Sequence, residues 1–150
     1  MILRQADTNI LLRMSDRTSP SFSVTRRAVS QIRRSGGAIF IVPQNLVEFW
    51  AVATRPVAVN GLGLSPIQAD RAVRRIERSF PLLPDKPEIH LYWRALVMNH
   101  AVSGRQVHDA RLVAAMLAHG VSHLLTFNIA DFRRYTAITA TSPAVIVGDS

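Results

Sequence analysis

Apolar residues recur along this chain in two alternating patterns, short continuous runs and helical periods. The run Ala38-Ile39-Phe40-Ile41-Val42 lies between glycine and proline, which is typical of a strand buried on both faces. After Ser65-Pro66-Ile67-Gln68, which carries three agreeing helix-start signals, apolar residues recur at helical spacing as far as Phe80. Strands that alternate with helices favour a parallel sheet that is covered by helices on both faces.

The same patterns predict the remaining elements. Strands are predicted at about 2–6, 38–42 and 123–127, with weaker candidates at 137–141 and 144–147. Helices are predicted at about 8–14, 23–34, 43–54, 66–80, 88–102 and 109–119, with a loop at 57–64 and a turn or short helix at 128–134. In a parallel α/β sheet, a ligand site is expected at the carboxyl ends of the strands.

Composition limits the class of protein. With 150 residues and 48% hydrophobic content, the chain is long and apolar enough for one sizeable core, so a single domain over residues 1–150 is expected. The absence of cysteine excludes a disulfide scaffold, a Cys-ligated metal site and a thiol nucleophile. No secretory signal and no run of 18 apolar residues is visible, so we expect a cytoplasmic protein without a membrane partner.

The charge balance is strongly basic, with 18 Lys and Arg against 10 Asp and Glu and a net charge of +8. All the basic residues except Lys86 are arginine, whose planar guanidinium suits phosphate, so a polyanionic partner such as nucleic acid is one interpretation. The other is that the arginines lie on solvated faces or meet an acidic partner segment. Two predicted helices carry such faces: Arg26, Arg27, Arg33 and Arg34 on one, and Arg71, Arg74, Arg75 and Arg78 on the other.

Four of the scarce acids fall where a parallel sheet would place a site. Asp7 follows the first strand, Glu48 lies in an apolar helix, Asp109 begins a helix, and Asp131 follows the strand ending at Phe127. Clustered carboxylates repel one another unless a cation neutralises them, and oxygen ligands suit Mg²⁺ or Mn²⁺. Such ions activate water for in-line displacement at phosphorus. Local context leaves other interpretations open: each Asp could cap a helix, and Glu48 could be solvated.

These acids lie in four segments along the chain. Asp7 begins Asp-Thr-Asn in segment 7–12, and Glu48 begins Glu-Phe-Trp in segment 45–56. Asp109 lies in His-Asp-Ala-Arg in segment 108–114, and Asp131 in Thr-Phe-Asn-Ile-Ala-Asp-Phe in segment 125–132. In these segments the chain resembles the PIN domain family, specifically the toxins of VapBC-type toxin–antitoxin pairs. The resemblance extends from about residue 5 to 141. One departure is the first strand, which Arg4 and Gln5 make more polar than the apolar run usual in the family.

The resemblance implies a three-layer α/β/α sandwich around a central parallel sheet. It also implies an Mg²⁺- or Mn²⁺-dependent endoribonuclease, usually a homodimer, that a cognate antitoxin holds inactive. A non-catalytic PIN-like RNA-binding or regulatory protein and a nuclease acting on another nucleic acid are the alternatives. The implied metal-binding and catalytic acids are Asp7, Glu48, Asp109 and Asp131. Asn128 is implied as a contact to substrate or to water on the metal, and Thr8 and Asn9 as residues that shape the site loop.

Overall fold

A four-stranded parallel sheet lies at the centre of residues 1–148, the part of the chain that the computed structural model describes. The strand order is β2-β1-β3-β4, and all three neighbouring pairs are parallel. The carboxyl ends of all four strands therefore lie at one edge of the sheet. The strands are β1 (Leu3–Ala6), β2 (Ala38–Phe40), β3 (His123–Leu125) and β4 (Thr139–Thr141).

Seven helices of the described chain connect or follow these strands. They are α1 (Thr8–Met14), α2 (Phe22–Arg34), α3 (Pro43–Ala53), α4 (Pro66–Ser79), α5 (Pro87–Asn99), α6 (Gln106–His119) and α7 (Pro143–Gly148). Two single turns of 3₁₀ helix lie at Val57–Val59 and Ile129–Phe132. No helix among residues 1–148 combines the length and the apolar character that a bilayer crossing needs.

Helices cover both faces of the sheet, as the side chains of β3 show. Leu124 and Leu125 are adjacent and both fully buried, so they point to opposite faces. Leu125 packs in a core with residues of α1 to α4, whereas Leu124 packs in a second core with residues of α5 and α6. The predicted three-layer α/β/α sandwich with a central parallel sheet is confirmed.

Two of the predicted elements differ from the structure. The candidate strand at 144–147 is wrong, because this segment forms α7. Ser142 Oγ accepts a hydrogen bond from the Val145 N–H at 3.2 Å, and Pro143 occupies the first helical position, so the helix start outweighs the β-branched run. Asp109 does not begin α6, since that helix starts at Gln106 and places Asp109 in its first turn.

Candidate active site

A cavity of about 640 Å³ opens at the carboxyl-end edge of the sheet. All four predicted acids line this cavity, and each comes from a different part of the fold. Asp7 directly follows β1, Glu48 lies in α3, Asp109 lies in α6, and Asp131 lies in the 3₁₀ turn after β3. The three other predicted site residues also reach this cavity. The full set of predicted residues that line it is Asp7, Thr8, Asn9, Glu48, Asp109, Asn128 and Asp131.

Asp7 serves both as a helix cap and as a wall of the cavity. One carboxylate oxygen, Oδ1, accepts a hydrogen bond from the backbone N–H of Thr8 at 2.7 Å, which caps α1. The other, Oδ2, accepts one from the Thr126 hydroxyl at 2.7 Å. The side chain is buried, with 7% of its residue surface exposed. The capping interpretation is therefore correct for Asp7 and does not exclude a site role.

Glu48 is half-buried and is not an ordinary solvated glutamate. Its Oε1 accepts a hydrogen bond from the Thr8 hydroxyl at 2.6 Å, and its Oε2 accepts one from Gln44 Nε2 at 3.1 Å. The Gln44 amide also donates to the carbonyl of His108 at 2.7 Å, next to Asp109. Gln44 therefore ties the helix that carries Glu48 to the helix that carries Asp109.

Burial and the charges of neighbouring carboxylates raise the pKa values of two of the four acids. Burial raises the pKa of Asp7 to about 6 against its hydrogen bonds with Thr126 and Thr8, and the charges of Glu48 and Asp131 add to the rise. Burial likewise raises the pKa of Asp109 to about 7, together with the charges of the other three acids. Within residues 1–148, none of the four forms an ion pair with a basic side chain within 4 Å, and the charge of Arg105 lowers the pKa of Asp109 only in part against these causes.

The donor set matches the chemistry of a hydrated divalent cation. All four side chains offer hard carboxylate oxygens, which Mg²⁺ and Mn²⁺ prefer. As the side chains stand, no group of three or more His, Asp or Glu among residues 1–148 could hold an ion. Mg²⁺ usually keeps several waters and takes only one or two carboxylates directly. The site therefore fits a hydrated ion rather than a cage of three direct side-chain ligands.

Uncharged residues that sequence reasoning did not select hold these acids in place. Thr126 is fully buried at the end of β3, where its hydroxyl accepts from the Asn128 N–H at 2.9 Å and donates to Asp7. Gln44 and Asn45, in the first turn of α3, contact Glu48 and Thr8. Thr126 lies near Asp7 because it directly follows β3, which pairs with β1, and this strand order is visible only in the structure.

A model of the PIN domain family matches residues 6–138, so the chain belongs to this family. PIN domains are generally nucleases. No curated protein sequence matches the chain.

Solved structures of similar fold come from toxin–antitoxin systems. DNA-bound VapBC from Salmonella typhimurium has a TM-score of 0.70 at 16% identity, covering 95% of this chain and 99% of that chain. VapBC2 from Rickettsia felis, bound to a promoter DNA fragment, has a TM-score of 0.69 at 14% identity, covering 94% and 98%. VapC20 from Mycobacterium tuberculosis, a Sarcin-Ricin loop cleaving toxin, has a TM-score of 0.59 at 14% identity, covering 81% and 86%. At these identities the likeness establishes the fold.

Proposed function

We propose that this PIN domain is an Mg²⁺- or Mn²⁺-dependent endoribonuclease and the toxin of a toxin–antitoxin pair. The observation that carries the proposal is the set of four carboxylates on one cavity, with no basic side chain paired to any of them within the described residues. Burial, together with repulsion from the neighbouring acids, makes Asp7 and Asp109 hold protons more tightly than an ordinary aspartate does. A divalent ion would relieve that repulsion.

In this proposal Asp7, Glu48, Asp109 and Asp131 hold the ion, directly or through water. A bound divalent ion supplies Lewis-acid chemistry, activating water and offsetting charge at the scissile phosphate. The hydroxyls of Thr8 and Thr126 keep Glu48 and Asp7 in place, each with one short hydrogen bond.

The cavity wall also offers groups that suit the rest of a nucleic acid. Arg55 and Arg105 line the same cavity as the acids and are exposed, so they can contact phosphates of a nucleic acid bound there. Asn128 is exposed at the same cavity, where its amide can donate to a phosphate or a base edge. A cavity that combines four carboxylates with two arginines suits a polyanion whose cleavage needs a cation.

Three findings support the RNA substrate and the protein partners. VapC20, of the same fold, is a Sarcin-Ricin loop cleaving toxin, and the two VapBC structures are toxin–antitoxin complexes. Exposed apolar side chains on α3 and α5 offer a surface for a second copy of the chain or a cognate antitoxin. They are Val47, Leu91, Tyr92 and Met98, with exposed fractions of 70%, 68%, 43% and 77%.

Cleavage of labelled RNA and DNA by the purified chain, with Mn²⁺ present, tests the proposal. The wild type is expected to cleave RNA, and Asp7→Asn is expected to reduce cleavage to background. Asp70→Asn is the matched control, because Asp70 is a half-exposed acid that pairs with Arg74 on α4 and does not line the cavity. It should cleave like the wild type.

Three outcomes would contradict the proposal. Full activity of Asp7→Asn would remove the carboxylate site as the cause of cleavage. Cleavage of DNA but not RNA would assign another nucleic acid as substrate. RNA binding without cleavage by the wild type would indicate the non-catalytic alternative.

A further inference from the structure

A fully buried amide in the first turn of α3, Asn45, has every hydrogen-bonding position occupied. Its Oδ1 accepts from the Val42 N–H at 2.9 Å and from Gln5 Nε2 at 2.8 Å. Its Nδ2 donates to the carbonyl of Ala6 at 3.1 Å and to the Thr8 hydroxyl at 3.2 Å. A side-chain amide has two donor hydrogens and two acceptor lone pairs, so this one is completely used. Asn45 therefore joins strand β1, the loop that carries Asp7 and helix α3.

The orientation of this amide is defined by its partners. The backbone N–H of Val42 can only donate, so the oxygen of Asn45 must face it and the nitrogen must face Thr8. A threonine hydroxyl has one proton. Because the Thr8 oxygen accepts from Asn45, its own proton is directed to Glu48 Oε1 at 2.6 Å. The hydrogen bond that holds Glu48 thus depends on an amide that does not touch Glu48 itself.

The polar character of β1 follows from the same contact. Gln5 is fully buried in the strand, and its amide nitrogen donates to Asn45 across 40 residues of sequence. An apolar residue at this position would leave one lone pair of the Asn45 oxygen without a donor. Of the two polar residues that set this strand apart from an apolar run, Gln5 therefore supports Asn45.

We propose that Asn45 is a positioning residue of the candidate metal site, acting on Glu48 through the Thr8 hydroxyl and on Asp7 through the carbonyl of Ala6. The inference rests on the proposed function in that the positioned acids are those assigned to the ion. Without the Thr8 hydroxyl, the hydrogen bond that Glu48 keeps among residues 1–148 is the one from Gln44, on the other oxygen. The carboxylate then samples more orientations, and its binding of a cation weakens.

Calorimetric titration of Mn²⁺ into the full chain tests the inference without any measurement of cleavage. Thr8→Val removes the hydroxyl and keeps the side-chain shape, and Asn45→Leu removes the amide and keeps the branching. Each is expected to weaken Mn²⁺ affinity by about 10-fold or more, the usual effect of losing a partner behind a metal ligand. Thr8→Ser retains the hydroxyl and is expected to bind Mn²⁺ nearly as the wild type does.

Thr25→Val is the matched control. Thr25 is a fully buried threonine of α2 whose hydroxyl donates to the Ser21 carbonyl at 2.6 Å, remote from the cavity. This variant should lose stability but keep the wild-type Mn²⁺ affinity. Thermal unfolding of each variant shows which are folded. If Asn45→Leu does not fold, Gln5→Leu takes its place, since it removes one donor to the Asn45 oxygen, and wild-type Mn²⁺ affinity in Gln5→Leu would then count against the role of Asn45.

The double variant Thr8→Val/Asn45→Leu separates a relay from two independent contributions. If Asn45 acts chiefly through Thr8, the double variant should lose little more Mn²⁺ affinity than the single variant with the larger loss. Fully additive losses would overturn the relay, as would wild-type affinity in Thr8→Val or equal losses in Thr8→Val and Thr8→Ser. A wild type that binds Mn²⁺ but cleaves no RNA would overturn the proposed function and leave this inference standing.

Discussion

At the scale of single residues, burial beside other acids raises the pKa values of Asp7 and Asp109. Their pKa values in the folded chain are about 6 and about 7. An aspartate in an unfolded chain titrates near pH ~4. The folded state therefore binds these two protons more tightly than the unfolded state does, and ionising both groups at neutral pH destabilises the fold.

The metal-free protein should lose thermal stability as the pH rises from about 4 through about 7. Below about pH 4 both acids are protonated in both states, so their contribution to stability is fully present. Above the folded-state pKa values it is lost. Melting temperatures measured across this range for the wild type and Asp109→Asn test this, because the variant lacks the Asp109 contribution and should show a shallower decline.

Mn²⁺ should raise the melting temperature more at pH 8 than at pH 5, because the ion competes with protons for the same oxygens. The measurement is a thermal scan with and without Mn²⁺ at each pH. An equal stabilisation at both pH values, or none in either, would show that the ion does not bind at these carboxylates.

The acids and Thr8 could be proposed as site residues from the sequence, whereas Thr126 and Asn45, which contact Asp7 and Thr8, could not. Carboxylates are scarce in this chain and fall at strand ends, so Asp7 and Asp131 were visible candidates. Thr126 contacts Asp7 across 119 residues, and Asn45 contacts Thr8 across 37. A hydroxyl or an amide has no charge pattern or spacing that indicates a partner so far away, and only the fold brings them together.

At the scale of elements, the loop after α3 depends on a close approach at Gly61. The chain folds back on the end of the helix, where the Gly63 N–H donates to the Arg55 carbonyl at 2.8 Å. A Cβ at Gly61 would lie 2.0 Å from that same carbonyl oxygen, which is backbone and cannot rotate away. This loop follows Arg55, a residue of the cavity wall.

Gly61→Ala should destabilise the protein by about 1–3 kcal/mol, the usual cost of forcing an extra group into a closed space. Denaturant unfolding of the variant and the wild type measures the difference. Gly148→Ala is the control, since a Cβ there meets nothing within 4 Å and its backbone needs no left-handed conformation. Equal unfolding midpoints for Gly61→Ala and the wild type would contradict the close approach.

The elements with explicit end signals could be predicted best. The capping box of α4 is present as expected, with the Ser65 hydroxyl accepting from the Gln68 N–H at 3.2 Å. The segment 144–147, a weaker strand candidate, contains three successive β-branched residues, which favour a strand. Its Ser-Pro start is the same signal as in α4, and packing of α7 against α2 supports the helix. In this segment the Ser-Pro helix start outweighs the preference of the β-branched residues for a strand.

At the scale of the whole molecule, the arginines behind the net charge of +8 include two groups, those on α2 and α4 and those that line the carboxylate cavity. Several arginines of α2 and α4 contact the protein: Arg33 lies over the Phe80 ring at 4.9 Å, and Arg74 pairs with Asp70 at 3.1 Å. Arg55 and Arg105 instead line the carboxylate cavity. The cavity arginines are therefore better placed to hold a polyanion during cleavage than the two helix faces.

Arg55→Gln should raise the KM for RNA about fivefold with a smaller effect on kcat, the loss expected for about 1 kcal/mol of exposed ionic contact. The KM of Arg55→Gln should also depend less on salt concentration than the wild-type KM does. A variant with one phosphate contact fewer releases fewer counterions when it binds RNA. Arg71→Gln, on the exposed face of α4, is the charge-matched control. Steady-state kinetics at two salt concentrations measures both effects, and equal KM values for the two variants would place the RNA elsewhere.

Chelation followed by reconstitution tests the central claim, that the four carboxylates of the cavity at the carboxyl-end edge of the sheet form a divalent-cation site for RNA hydrolysis. Chain stripped with EDTA should not cleave labelled RNA, and added Mn²⁺ should restore cleavage in the wild type but not in Asp109→Asn. Cleavage by the stripped wild type, or full restoration by Mn²⁺ in Asp109→Asn, would contradict the claim.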